Sequence, residues 1–232
     1  MVYLRRANER GQAHFGWLHS QHSFSFGSYY DAAHMGVSVL RVINDDVVAP
    51  GAGFDTHGHK DMEIVSYVVS GALEHQDSTG NRYVIPAGEV QLMSAGKGIY
   101  HSEYNASKSD SLNFLQIWIR PNVKGIAPSY QQCKPQQTGM LTPLVTPDGV
   151  GGSLQIHQDA SIYRVRLQQE ESVTLEVPRL GYLHVVHGDV QLAELTLSMG
   201  DGIALPSGQA VTLRANSEFE ALWFDLPVSL TE

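Results

Sequence analysis

Short apolar runs rich in Val, Ile, Leu and Tyr recur along the chain, interrupted by Gly, Pro, Asn and Asp. Residues 37–43, 63–69, 90–93, 112–119, 182–186, 190–195 and 221–226 carry the strongest of these runs. No stretch sustains the 3.6-residue apolar period of a helix, so helices should be few and short. Short strands separated by turn residues indicate an all-β sandwich or barrel. Asp77-Ser78-Thr79-Gly80-Asn81 reads as a hairpin turn, and Gly71, Gly88 and Gly188 mark further strand connections.

Residues 121–152 break this rhythm. Pro121, Pro128, Pro135, Pro143 and Pro147 fall there among many Gln, Ser and Thr, which reads as a connection between two domains. On either side the sequence repeats faintly. Tyr67-Val-Val-Ser-Gly71 resembles His184-Val-Val-His-Gly188, residues 86–92 resemble 198–204, and Leu115-Gln-Ile-Trp-Ile119 resembles Leu222-Trp-Phe-Asp-Leu226, in that order. An internal duplication of one barrel explains all three matches, giving domains at residues 1–130 and 131–232. A chain of 232 residues is long enough to bury a core in each.

Charge and composition then exclude several classes of function. Acidic residues outnumber basic ones 24 to 15, for a net charge of −9. No run of Lys or Arg interleaved with aromatics offers a phosphate-binding footprint, so direct nucleic-acid binding is disfavoured. No stretch has the length of a membrane span, and Arg5, Arg6, Glu9 and Arg10 precede any apolar segment that could act as a secretory leader. The single cysteine, Cys133, forms no internal disulfide, which favours a reducing compartment, the cytoplasm. With no neighbouring His or base it does not read as a catalytic thiol.

Two short stretches carry the chemistry: His57-Gly58-His59 and His101-Ser102-Glu103. Alternate side chains leave a strand by the same face, so each pair aims both members into one space. Three imidazoles and a carboxylate on neighbouring strands make a site for Fe, Mn, Cu, Ni, Co or Zn. The remaining histidines, such as His14, His75, His157 and His184, read as hydrogen-bonded core or surface residues. Counting back from Gly188 by the interval that separates Gly71 from His57 lands on Thr174. The equivalents of His59 and His101 fall near Glu176 and Thr212. One metal per chain, in the amino-terminal half, is the expectation.

The run from Gly51 through His57, His59 and Glu63 to Gly71 resembles the first motif of the cupin superfamily, one residue longer at its final spacing. The second motif is matched by Gly88, Gly96, Gly98, His101 and Asn105, with Ser94 where a proline is usual. His57-Gly-His-Lys-Asp-Met-Glu-Ile64, Ser94-Ala-Gly-Lys-Gly-Ile-Tyr-His-Ser-Glu103 and His22-Ser-Phe-Ser-Phe26 together resemble the pirin family of bicupins. That resemblance implies two cupin-type jelly-roll barrels in tandem, with a metal in the first only. It also places the ligand carboxylate at Glu103, where ordinary cupins use the position of Glu63. Geometry alone admits both, because residues 57, 59, 61 and 63 share a face if the strand is unbulged.

The same resemblance implies a quercetin 2,3-dioxygenase-type activity, with iron or copper as metal and iron the first choice. A flavonol would bind by its deprotonated 3-hydroxyl and be cleaved with O₂, releasing carbon monoxide, with Glu103 as the base. Phe54, Tyr100 and Tyr104 are candidate pocket aromatics. A second reading is a non-enzymatic regulatory protein whose metal oxidation state changes its affinity for a protein partner.

Overall fold

Two three-residue 3-10 turns, Ala7–Glu9 and Val150–Gly152, are the only helical elements among residues 3–228, which the computed structural model describes. The rest of the regular structure is strand. The first half contributes β1 (Leu4–Arg5), β2 (Gly11–His14), β3 (Leu18–His22), β4 (Leu40–Val48), β5 (Gly53–His59) and β6 (Glu63–Ser70). It continues with β7 (Ala72–Asp77), β8 (Arg82–Pro86), β9 (Val90–Ser94), β10 (Ile99–Asn105), β11 (Leu112–Ile119) and β12 (Ser129–Cys133). The second half holds β13 (Leu141–Thr146), β14 (Leu154–Gln155), β15 (Ser161–Leu167), β16 (Ser172–Val177) and β17 (Leu180–His187). It ends with β18 (Asp189–Leu192), β19 (Leu195–Ser198), β20 (Gly202–Leu205), β21 (Gln209–Ala215) and β22 (Phe219–Leu226).

Each half is a sandwich of a seven-stranded and a four-stranded sheet. In the first, β12-β9-β6-β11-β4-β3-β2 faces β5-β10-β7-β8; in the second, β1-β20-β17-β22-β15-β13-β14 faces β16-β21-β18-β19. Hydrogen bonds do not close either pair into a barrel, so the architecture is jelly-roll-like. Strand alternation assigns the layers. On β6, Val65 and Tyr67 point one way and Ile64 and Val68 the other; on β22, Leu222 and Phe224 oppose Ala221 and Trp223. One set from each half, including Tyr67, Leu115, Ile117, Tyr182 and Phe224, forms a continuous buried core where the large sheets pack back to back. Burying such a side chain stabilises by about 1.5–3 kcal/mol, so apolar packing holds the halves together.

The opposite faces differ between halves. In the second, Leu175, Leu183, Val185, Leu197, Leu213 and Trp223 fill the sandwich with one apolar core. The first interior is split into two small apolar clusters, one around Leu73 and Phe114 and one around Ile64 and Met93. The buried side chains Ser20, His22, Asn44, Asp46, Ser66, Gln91 and Gln116 form a polar interior layer.

Several boundaries depart from the sequence reading. Residues 121–152 are not a bare connection: polar β12 pairs with β9, and β13 pairs with β15 through a register shift at Pro143. Proline has no N–H for the ladder, which places the irregularity there. The expected divide at 130/131 falls inside β12. At 37–43 the strand starts only at Leu40, after a turn with Ser38 at φ 53°, and 190–195 is two strands joined through Ala193. Thr174 and Thr212 are cross-strand partners, their hydroxyls 3.0 Å apart, but both are exposed. The interior-facing positions on those strands are one residue away, at Leu175 and Leu213, and are apolar. Among the described residues, no group of three metal-type donors lies in this half.

The chain start crosses over: β1 pairs with β20, Leu4 opposite Ile203. Buried Asp201 anchors it, accepting from Arg6 Nη1 (2.6 Å), the Ala7 amide (2.8 Å) and the Ser198 amide (3.1 Å). Asp201→Ala leaves the Ala7 and Ser198 amides without this acceptor and Arg6 Nη1 with only the Thr196 carbonyl. It should lower stability by about 2–3 kcal/mol, read as a lower urea midpoint with unchanged m-value.

Candidate metal centre

β5 and β10 pair antiparallel with His101 directly opposite His57 and Ile99 opposite His59. Alternation then sends His57, His59, His101 and Glu103 to the interior. Beyond His101 the register shifts, and Glu103 pairs with Phe54, so β5 carries the extra residue of a bulge. Gly53 permits this close approach, since a Cβ there would lie 2.3 Å from the Glu103 carbonyl oxygen.

The three imidazoles converge. His57 Nε2 lies 3.1 Å from His101 Nε2, and ring centroids are 4.8 Å (57–59), 4.5 Å (57–101) and 4.8 Å (59–101) apart. His57 Nδ1 donates to the Asp55 carbonyl at 2.7 Å, which fixes its tautomer and leaves the Nε2 lone pair facing His101 Nε2. His59 Nε2 is buried without a partner. Burial, reinforced by the neighbouring imidazoles, pushes His59 down to about 4 and His101 to about 3. Both are therefore neutral at pH 7, the form that ligates a metal.

Glu103 is fully buried beside His101 and His75, whose donor atoms form a second cluster within 4.8 Å. Its Oε1 accepts from Ser66 Oγ (3.2 Å) and Gln91 Nε2 (2.7 Å), and its Oε2 from Gln116 Nε2 (3.1 Å). His101 belongs to both clusters and links the carboxylate to the imidazole trio. The His75 pairing matches the sequence reading, with Nε2 donating to Asp77 Oδ2 at 3.1 Å, but its place beside Glu103 was not foreseen. Burial raises the Asp77 carboxyl, yet donors from Thr79, Asn81 and His75 outweigh it and hold it at about 2. His75-x-Asp77 shows the same period-two spacing as the other pairs, on the strand next to β10; that was the available signal.

Glu63 lies outside both clusters. The chain turns between β5 and β6, with Asp61 at φ 48°, so residues 57 to 63 never share one strand face. Its Oε2 instead accepts from Ser94 Oγ (2.9 Å) and the His157 amide (3.2 Å), joining the halves.

A cavity of about 420 Å³ opens beside the imidazoles, lined by His57, His59, Trp17, Phe26, Phe54 and Trp118 among others. Trp17 meets Phe54 edge-on at 5.1 Å, and Phe26 meets Trp118 at 5.3 Å; Trp118 also stands 5.0 Å from the His59 ring. Of the three expected aromatics only Phe54 lines this space. Tyr100 is 63% exposed and Tyr104 bonds Asp55, because positions alternating with His101 and Glu103 must face outward. A larger cavity, about 930 Å³, lies between the two halves and contains none of these residues.

Asp46, also on the metal-side cavity, is 2% exposed. Burial pushes its carboxyl up to about 7, helped by Asp45 and Glu103 and opposed by the Ser20 hydroxyl. The folded protein thus keeps a proton that the unfolded chain releases near the usual value of 3.8, so this group costs stability progressively as pH rises from about 4 to about 7. In metal-free protein, Asp46→Asn should be more stable than the unaltered chain by up to about 4 kcal/mol above pH 7. At pH 4 the gain should vanish, as paired urea titrations at the two pH values would read.

Comparison with known proteins agrees with this architecture. The family model described as Pirin matches residues 4–119, and that described as Quercetinase C-terminal cupin domain matches residues 143–226. The chain is 50% identical over 229 residues to the quercetin 2,3-dioxygenase of Escherichia coli K12, covering 98% of this chain and 99% of that protein. The crystal structure of YhhW from Escherichia coli superposes with TM-score 0.96 at 48% identity, covering 100% of each chain. That of the bacterial pirin YhhW in complex with nickel(II) gives 0.94 at 49%, covering 98% of this chain and 99% of that one. With interior-facing ligand-type pairs on β5 and β10, an apolar second sandwich and these matches along nearly its whole length, the chain belongs to the pirin family.

Proposed function

We propose that this protein is a metal-dependent dioxygenase that cleaves quercetin-type flavonols with O₂. In this reading His57, His59, His101 and Glu103 hold one divalent metal, iron, within the amino-terminal sandwich, and the carboxy-terminal sandwich is a domain without ligands. The observation that carries it is the convergence of three imidazoles, two of them held neutral, at an aromatic-walled cavity of the size that takes a small planar ligand. The donor set fits a metal. Neutral rings with facing or orphaned nitrogens and a buried carboxylate nearby are left incompletely satisfied until a cation takes their lone pairs. The nickel(II) complex of a relative, the bacterial pirin YhhW, supports a divalent metal in this protein.

When bound, such a metal supplies Lewis acidity toward the substrate's oxygens and an electron path to O₂. The chain's own residues do the rest. The Trp17–Phe54 and Phe26–Trp118 pairs flank a planar ring system and keep water from it. Glu103 takes the proton of the substrate's 3-hydroxyl. Oε2 is the oxygen to receive it, because Oε1 already accepts from both the Ser66 hydroxyl and the Gln91 amide, whereas Oε2 accepts only from the Gln116 amide and keeps a lone pair free. The half-buried Cys133, its thiol pushed up to about 11 by burial, suits the reducing cytoplasm.

Elemental analysis combined with aerobic loss of quercetin absorbance tests this. His57→Ala and His101→Ala should each lose the metal and, with it, turnover; full metal retention in either would contradict the ligand set. Glu103→Gln should cut turnover by about 10²–10⁴-fold while lowering metal content far less, because a base is lost and an oxygen donor kept. Glu63→Gln should leave metal content unchanged.

A further inference from the structure

The wall that the seven-stranded sheet gives to the aromatic cavity is polar, and several of its side chains bond one another or Glu103. His22 Nδ1 bonds Asn44 Oδ1 at 2.8 Å, with the Ser20 hydroxyl 3.3 Å from the same nitrogen. Gln116 spends its amide on Glu103 and its carbonyl on Trp118 Nε1 at 3.2 Å. Apart from His59 Nε2, assigned above to the metal, one buried polar side-chain atom on the cavity lining has no partner among the described residues: Asp46 Oδ1. A buried carboxyl oxygen left unbonded in an apolar setting is costly, and interiors keep such atoms where a ligand completes them.

We propose that Asp46 is a substrate-recognition residue whose carboxyl accepts a hydrogen bond from a ring hydroxyl of the bound flavonol other than the 3-hydroxyl. The inference rests on the flavonol reading and deepens it. The cavity presents His57 and His59 at its metal side, aromatic side chains to the faces of a flat polyphenol, and Asp46 on β4 to a hydroxyl elsewhere on the rings. A site that hydrogen-bonds a substrate hydroxyl discriminates strongly against the analogue lacking it. Asp46 thereby distinguishes polyhydroxylated flavonols from bare ones.

The test is a titration of the metal-loaded, full-length protein under anaerobic conditions, followed by ligand absorbance. The probes are quercetin, analogues lacking one hydroxyl each, and 3-hydroxyflavone, which keeps the carbonyl edge and has no other hydroxyl. Asp46→Leu should weaken quercetin binding by roughly 10- to 100-fold, with 3-hydroxyflavone affinity and metal content unchanged. For the unaltered protein, one single-hydroxyl analogue should show a loss of the same size, and in Asp46→Ala, which has no acceptor there, that loss should shrink, as a pairwise cycle requires. Equal quercetin affinity in Asp46→Leu, or equal weakening of both ligands, overturns the assignment. Should Asp46→Leu fail to fold, the cycle with Asp46→Ala decides: an undiminished analogue loss overturns it equally. If the unaltered, loaded protein binds neither flavonol, the flavonol reading falls and this assignment with it.

Discussion

A single buried carboxylate organises the amino-terminal half. Glu103 is sealed from water and held by donors from three strands, Ser66 on β6, Gln91 on β9 and Gln116 on β11. Removing an ion from water costs several kcal/mol, and hydrogen bonds to the charge must offset it. Those donors are therefore needed together, and they occupy positions where a sandwich of this kind would otherwise bury Leu or Val. The interior becomes a polar seam with apolar clusters at its two ends. Across the seam, β10 is held so that His101 faces His57.

The second half shows what the same architecture looks like without that demand. Its interior strands present Leu175, Leu183, Leu213 and Trp223 to one another and need no donors to satisfy them. Its outer pair of threonines bond each other at the surface. The two sandwiches nevertheless share one core between their large sheets, so the apolar half buttresses the back of the sheet whose front carries the polar seam. Glu63 adds a polar tie across that junction by holding the His157 amide.

Strand periodicity made much of this legible. The run 112–119 coincides with β11, the turn at Asp77-Ser78-Thr79-Gly80-Asn81 joins β7 to β8, and the period-two pairs at 57/59 and 101/103 identify strands whose side chains meet. What stayed hidden depends on contacts between distant strands. β12 is too polar to announce itself and becomes a strand because β9 offers it an edge. Asp46 looks like an ordinary surface carboxylate beside Asp45 until the sheet turns it inward. Counting along the duplication aligned Thr174 and Thr212 correctly as a cross-strand pair but could not reveal that their face is reversed. A one-residue offset exchanges the two sides of a sheet. The outward placement of Tyr100 and Tyr104, by contrast, followed from the same alternation that assigned His101 and Glu103.

Edge strand β1 belongs to the large sheet of the second sandwich. Tyr3 and Arg5 bond His34, Ser23 and Tyr29 nearby, but Leu4 pairs with Ile203 and Arg6 with Asp201, the latter 195 residues further along the chain. Contacts of such long sequence separation slow assembly and leave strand edges open to wrong partners meanwhile. The carboxy-terminal sandwich, expressed by itself, would carry β20 as a bare edge and invite association between copies.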